Sequence, residues 1–254
     1  MHRRHPRPLT PRQVGVIAAT LPQWEGLDLD ERSRLEDLAA DLLEEVSWEA
    51  SRGFDLDGDI CTAIAAGAAL LGLGLDDPVF PNVQAVVVHP GIITLTGPRP
   101  GPIPRTVDDS PAPVHGHTTA HGAVFIAWDT ARRQARYPEG GRNVVLHEFA
   151  HKLDAQDGTL DGTPLILDRD QRRRWVEVCE EEYRSLRRGQ GSTLIDSYAA
   201  TSPSEFFAVV TEVFFSRGAD LAAERPDLYR EFSRYYRQDP AARARHPPAS
   251  TPSG

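Results

Sequence analysis

Residues 143–154 read NVVLHEFAHKLD, and the histidine spacing within them decides the fold. His147 and His151 stand four apart, so on a helix their imidazoles lie one turn above each other and reach the same point. Neutral imidazole is a good zinc ligand, and two of them occupy two corners of a tetrahedron. Glu148 lies about 100° around the helix from His147, where the glutamate of an HExxH motif serves as general base toward a water at the metal. The alternative is a pair of core histidines on an apolar stripe. Leaving two imidazoles and a carboxylate buried without partners costs roughly 1–3 kcal/mol for each group. The apolar lead-in Val144, Val145 and Leu146 makes this a buried helix, and zinc is the expectation.

A catalytic zinc keeps one position for water and therefore needs a third protein ligand. The candidates are Asp154, Asp157, Glu205 and Glu212. Asp154, three residues past His151, is better placed to orient an imidazole than to bind metal. Glu205 and Glu212 are seven apart on one face of the helix that Pro203 opens, and from the pattern alone either could serve. Glu205 has a structural role open to it as well, because Ser202-Pro203-Ser204-Glu205 has the form of a capping box.

Outward from this centre, residues 1–20 are rich in Pro and Arg and read as a flexible arm. Asp28–Ser51 is an amphipathic helix with Leu35, Leu38, Leu42 and Val46 on one face and Asp30 as its cap. DLDGD (55–59) has neither the glycine nor the glutamate of a calcium loop in place and reads as a turn plus N-cap, opening an apolar helix from Asp59 to Leu73. Val83–Val88 and Ile92–Leu95, broken by Pro90-Gly91, form short strands in hairpin arrangement. An irregular Pro/Gly/His loop over 99–122 precedes a third strand, Ala123–Trp128. Further helices cover Asn143–Ala155, Asp168–Arg188, Pro203–Ser216 and Pro226–Gln238. Residues 241–254 read as a disordered tail, which leaves 21–240 as one α+β domain, mostly helical with a small sheet.

Hydrophobic residues make up 40% of the 254 and charged residues 26%, which supports a globular core and excludes general disorder. A net charge of −9 argues against direct nucleic-acid binding, which needs clustered Lys and Arg. No apolar run reaches membrane-span length, and the amino terminus lacks the apolar stretch of a signal peptide. Cys61 and Cys179 stand far apart in helical patterns and read as buried thiols. Together these point to a cytoplasmic protein. His115, His117 and His121 in VHGHTTAHGA could hold a second metal, but no carboxylate or cysteine completes a ligand set, so a polar loop is the expectation. Trp128, Trp175 and Tyr235-Tyr236 read as packing aromatics.

NVVLHEFAHKLDAQDG, DSYAATSPSEFFAVVTEVFF and the ending LYREFSRYYRQDP together resemble the Mlc titration factor A family of zinc peptidases. The resemblance runs from about Leu21 to Pro240 and includes RGFDLDGDICTAIAAGAALLGLGL and AVFIAWDTA. A more distant likeness, confined to HEFAH and the Tyr-to-Glu segment, is to the catalytic domain of anthrax lethal factor. What the resemblance implies is a zincin-like fold with its active-site helix beneath a small twisted sheet, and one zinc per chain. By that match the third ligand falls on Glu205, and Tyr198 falls on a tyrosine near the metal that could stabilise the oxyanion. The family also implies aminopeptidase action on a peptide or small aminoacyl substrate. The rival expectation, taken from the family name, is a binding protein that sequesters a transcriptional repressor. The loop VHGHTTAHGA departs from the enterobacterial pattern.

Overall fold

The computed structural model describes residues 7–51, 53–91, 93–95, 99–100, 107–108, 112–114 and 122–245, and its order begins earlier than expected. Pro11–Thr20, read as part of a flexible arm, is a helix (α1). Thr10 accepts from the Gln13 N–H while Gln13 reaches back to Thr10, and Ile17 is fully buried. Proline in the first turn favours a helix start rather than disorder, so proline content misled at this point. Helix α2, Leu29–Glu45, is capped by Asp28, not Asp30, with Glu31 completing a capping box. It buries Leu35, Leu38 and Leu42 as the periodicity predicts, yet it stops six residues before Ser51. Ser47–Ala50 leaves it as strand β1, because those backbone groups pair with a strand far along the chain.

Asp57 caps helix α3, Gly58–Gly72, through a 2.8 Å bond from the Ile60 N–H, and nearly every face of α3 is buried. Strand β2, Ala85–His89, follows. Two short antiparallel ribbons come next, β3 (Ile93–Leu95) with β6 (Ala112–Val114) and β4 (Arg99–Pro100) with β5 (Val107–Asp108). Strand β7 is Ala123–Ala127. The main sheet has the order β1-β2-β7 and is parallel throughout. The expected hairpin between 83–88 and 92–95 is therefore corrected: β2 is the central strand, and β3 pairs with β6 instead. Parallel neighbours need long crossovers; α3 lies in the one between β1 and β2, and Val86 and Val88 of the central strand are fully buried.

Helix α4, Trp128–Arg136, starts where β7 ends, in a stretch expected only to terminate the strand. Then come α5 (Val144–Asp154), α6 (Arg169–Arg187), α7 (Pro203–Ser216), α8 (Gly218–Glu224), α9 (Pro226–Tyr236) and α10 (Pro240–Arg245). Asp168 and Ser202 cap α6 and α7. Trp175 of α6 stacks on Phe232 of α9 with centroids 4.8 Å apart and meets Phe207 of α7 edge-on, the packing role expected of it. The tail expected from residue 241 begins inside α10, where Ala241 is buried and Arg243 pairs with Glu31; residues 246–254 lie outside the described residues. Among those described, no helix is long and apolar enough to cross a membrane.

Candidate metal centre

Helix α5 owes its position to its cap and to one buried face. The Asn143 side chain accepts from the N–H groups of Val145 (3.1 Å) and Leu146 (3.2 Å). Leu146, Phe149, Ala150 and Leu153 are fully buried. That burial turns His147 and His151 toward α7, their rings 4.8 Å apart and nearly perpendicular, their Nε2 atoms separated by 3.2 Å.

The two glutamates of α7 divide the work that their spacing left open. Ser202 caps the helix by accepting from the Glu205 N–H at 3.1 Å. The Glu205 carboxylate turns to the histidines, with Oε2 3.0 Å from His147 Nε2 and 3.5 Å from His151 Nε2. One atom from each of His147, His151 and Glu205 falls in a cluster no wider than 4.8 Å. Glu212 stands behind His147: its Oε1 lies 2.8 Å from His147 Nδ1, and its Oε2 accepts the backbone N–H of Asn143.

The chemistry of this donor set fits a cation. With its Nδ1–H committed to Glu212, His147 presents an Nε2 lone pair to the cluster. His151 Nδ1 meets the Ser204 hydroxyl at 2.9 Å, leaving Nε2 to face inward as well. Glu205 Oε2 is buried, and among the described residues it has no aligned hydrogen-bond donor. Two nitrogens and one oxygen are the ligand types of a His₂Glu zinc site with one position open. Electrostatics agree. Burial opposes a charge on His147, but Glu205 and Glu212 override it and push its pKa up to about 10. Burial would raise the Glu205 carboxyl, yet the facing imidazoles hold it well below the usual carboxylate range. A pocket that retains a positive charge against burial is one suited to a metal.

The profile of a family described as glucose-regulated metallo-peptidase M90 matches residues 1–237. The chain belongs to that family. An uncharacterised protein of Synechocystis is 31% identical over 238 residues, spanning 92% of this chain and 86% of the relative. Mlc titration factor A of Salmonella typhi is 31% identical over 242 residues, covering 90% and 87% respectively. Its namesake in Serratia proteamaculans is 30% identical over 243 residues, covering 89% and 90%.

In this M90 metallopeptidase the remaining candidates take distinct places. Glu148 is buried on α5 beside His147. Four residues on, Lys152 is also buried, and burial lowers its pKa while the Glu148 charge works the other way. Tyr198 lies on a short turn, Ser197–Ala200, begun by Asp196, which accepts the Tyr198 N–H at 2.9 Å and pairs with Arg142. Its ring centroid is 6.3 Å from that of His147. Burial, followed by the Glu205 charge, pushes its pKa up to about 12. Half of Tyr198 is exposed, so it stands at the rim between the cluster and solvent. Asp154 is fully buried, and its two oxygens accept the Gly162 N–H at 2.9 and 3.1 Å; burial raises its pKa to about 6. Asp157 closes its own turn by accepting from Thr159. His115, His117 and His121 lie outside the described residues. Sequence reasoning missed the orienting part played by Glu212, for which the seven-residue spacing from Glu205 was a usable signal. It missed Ser204 too, which carried none.

Proposed function

We propose that this metallopeptidase is a zinc-dependent hydrolase of zincin-like fold, with one zinc per chain on His147, His151 and Glu205 and aminopeptidase-like action on peptide or small aminoacyl substrates. The observation that carries the reading is the convergence of two imidazole nitrogens and one carboxylate oxygen between α5 and α7. When bound, zinc would supply a Lewis acid that makes water acidic near neutral pH and draws electrons from the scissile carbonyl. Glu148, one residue from His147 and shielded from bulk solvent, takes a proton from the attacking water. A new C–O bond forms, the C–N bond breaks, and Glu148 returns the proton to the leaving amine. Tyr198 at the rim donates a hydrogen bond to the former carbonyl oxygen, where negative charge develops. Two buried, unbonded cysteines are in keeping with a reducing cytoplasm.

Metal analysis of the purified chain beside a screen of chromogenic aminoacyl and peptide substrates tests this proposal. One zinc per chain and turnover that chelation abolishes are expected. A chain that stays fully zinc-loaded after both histidines are replaced by alanine refutes the site. A second reading has support in the relatives named Mlc titration factor A: a regulatory protein that sequesters a transcriptional repressor, with peptidase action secondary. Glu148→Gln separates the two, since it should abolish hydrolysis and leave pure sequestration intact.

A further inference from the structure

We propose that Asp196 and Arg142 are positioning residues for Tyr198, Asp196 fixing the turn that bears the phenol and Arg142 fastening that turn to the amino end of α5. The proposal rests on the reading of Tyr198 as the donor to the former carbonyl oxygen. Tyr198 is half exposed, so packing alone does not set where its ring stands. The backbone around it is better held. Ile195 and Ala199 are buried, and the Tyr198 carbonyl accepts from the Thr201 N–H at 3.0 Å and from its hydroxyl at 2.7 Å. Asp196 completes the turn with both carboxylate oxygens. Its Oδ1 accepts the Tyr198 N–H at 2.9 Å, and its Oδ2 accepts from the Arg142 guanidinium. Arg142 directly precedes Asn143, whose side chain caps α5 and whose N–H is bonded to Glu212. Glu212 also meets His147 Nδ1. A continuous chain of bonds therefore joins the group behind His147 to the turn that brings the Tyr198 ring within 6.3 Å of the His147 ring. Burial pushes the Asp196 carboxyl up, but the Tyr198 N–H and the Arg142 guanidinium outweigh it and hold it below the usual carboxylate range. The ion pair lies toward solvent, its guanidinium 65% and its carboxylate 30% exposed, and exposed pairs are weak. It sets where the turn rests without locking it. Asp196, which makes both bonds, is the stronger of the two positioning residues. A donor to developing charge is effective only in register with the reacting atom, so loosening this turn costs turnover rather than binding.

Two readouts on the full chain test this. The chain has six tyrosines, and with 3-fluorotyrosine incorporated, the fluorine NMR signal missing from Tyr198→Phe belongs to Tyr198. That signal should shift or broaden in Asp196→Ala and in Arg142→Met while the remaining tyrosine signals stay in place; a Tyr198 signal unmoved in both variants overturns the proposal without reference to activity. Hydrolysis of an aminoacyl p-nitroanilide is the second readout. Tyr198→Phe turning over like wild type defeats the reading of Tyr198, and the positioning role in catalysis with it. Where Tyr198→Phe is slow, Asp196→Ala should lower kcat about tenfold and Arg142→Met about 2–5-fold, with KM and zinc content near wild type. Arg142→Lys keeps the charge and should stay within about twofold of wild type. In a Tyr198→Phe background neither substitution should lower kcat further, because both act through the lost hydroxyl. Losses that add to that of Tyr198→Phe overturn the proposal, as does a loss of zinc or a rise in KM in place of the fall in kcat. Arg142→Met removes a mostly exposed side chain and carries both readouts should Asp196→Ala fail to fold.

Discussion

Replacing Gly162 by alanine should damage both stability and the metal centre, and Gly158 provides the control. Both glycines follow α5, and both have positive φ, +79° at Gly162 and +91° at Gly158. A left-handed backbone costs a residue with Cβ roughly 1–2 kcal/mol, so each alanine carries that penalty. The surroundings differ. A Cβ at Gly158 would meet nothing within 4 Å, whereas at Gly162 it would stand 2.3 Å from the Pro203 carbonyl oxygen. Backbone cannot swing aside as a side chain can, and overpacking of this kind adds about 1–3 kcal/mol. The expected destabilisation is about 1–2 kcal/mol for Gly158→Ala and about 2–5 kcal/mol for Gly162→Ala. In a chain of this size that amounts to roughly 2–8 °C against 4–20 °C in Tm. Displacement of Pro203 also moves its neighbours Ser204 and Glu205, which contact the two histidines, so only Gly162→Ala should weaken zinc binding. Urea unfolding of the metal-free proteins gives the first quantity and chelator competition the second. Equal losses of stability in the two variants, or an unaltered zinc affinity in Gly162→Ala, would refute the reasoning.

Glu205→Gln should lower zinc affinity more than Glu212→Gln. The latter keeps an oxygen for the His147 ring but sets an amide N–H against that of Asn143, and a loss of about tenfold is expected; chelator competition ranks the two, and the reverse order refutes the assignment. Tyr198→Phe should lower kcat by about 10²–10³ with zinc retained and KM little changed, and a zinc-loaded variant that turns over like wild type removes Tyr198 from the reaction. Dialysis against a strong chelator should abolish hydrolysis, and one equivalent of zinc should restore it; activity that survives complete metal removal contradicts the mechanism.

The elements legible in the sequence were those whose cause is local. Asn143, Asp168 and Pro203 each announce a helix, and all three helices start there. What escaped was set by partners distant in sequence. Ser47–Ala50 continues an amphipathic helix by its pattern, and only pairing with β2 converts it to a strand. The run 85–89 gives no sign that its neighbours are parallel rather than the adjacent 92–95. At the site, HEFAH was readable because its two histidines need only helical geometry to meet. The choice between Glu205 and Glu212 was not, since it depends on how far α7 lies along α5. Asp154 was read as an orienting residue, and its carboxylate is bonded to the Gly162 N–H; the group that meets His151 Nδ1 is Ser204, which no spacing rule identifies.

The bonds between α5 and α7 also limit how the site can move. Glu212 holds α5 at Asn143 and His147, while Ser204 and Glu205 hold it at His151. Eight residues separate Asn143 from His151 and eight separate Ser204 from Glu212, so both spans measure about 12 Å and run in opposite directions. Two antiparallel rods fastened at matching intervals cannot shear past one another. A slip of one helical turn, about 5.4 Å, would break the fastenings at both ends at once. Any opening or closing over substrate must therefore come from segments that do not carry the two histidines or Glu205, such as the turn that holds Tyr198 at the rim. The α5–α7 pair acts as a fixed anvil against which those parts work, so the energy of binding a substrate need not be spent on assembling the ligand set.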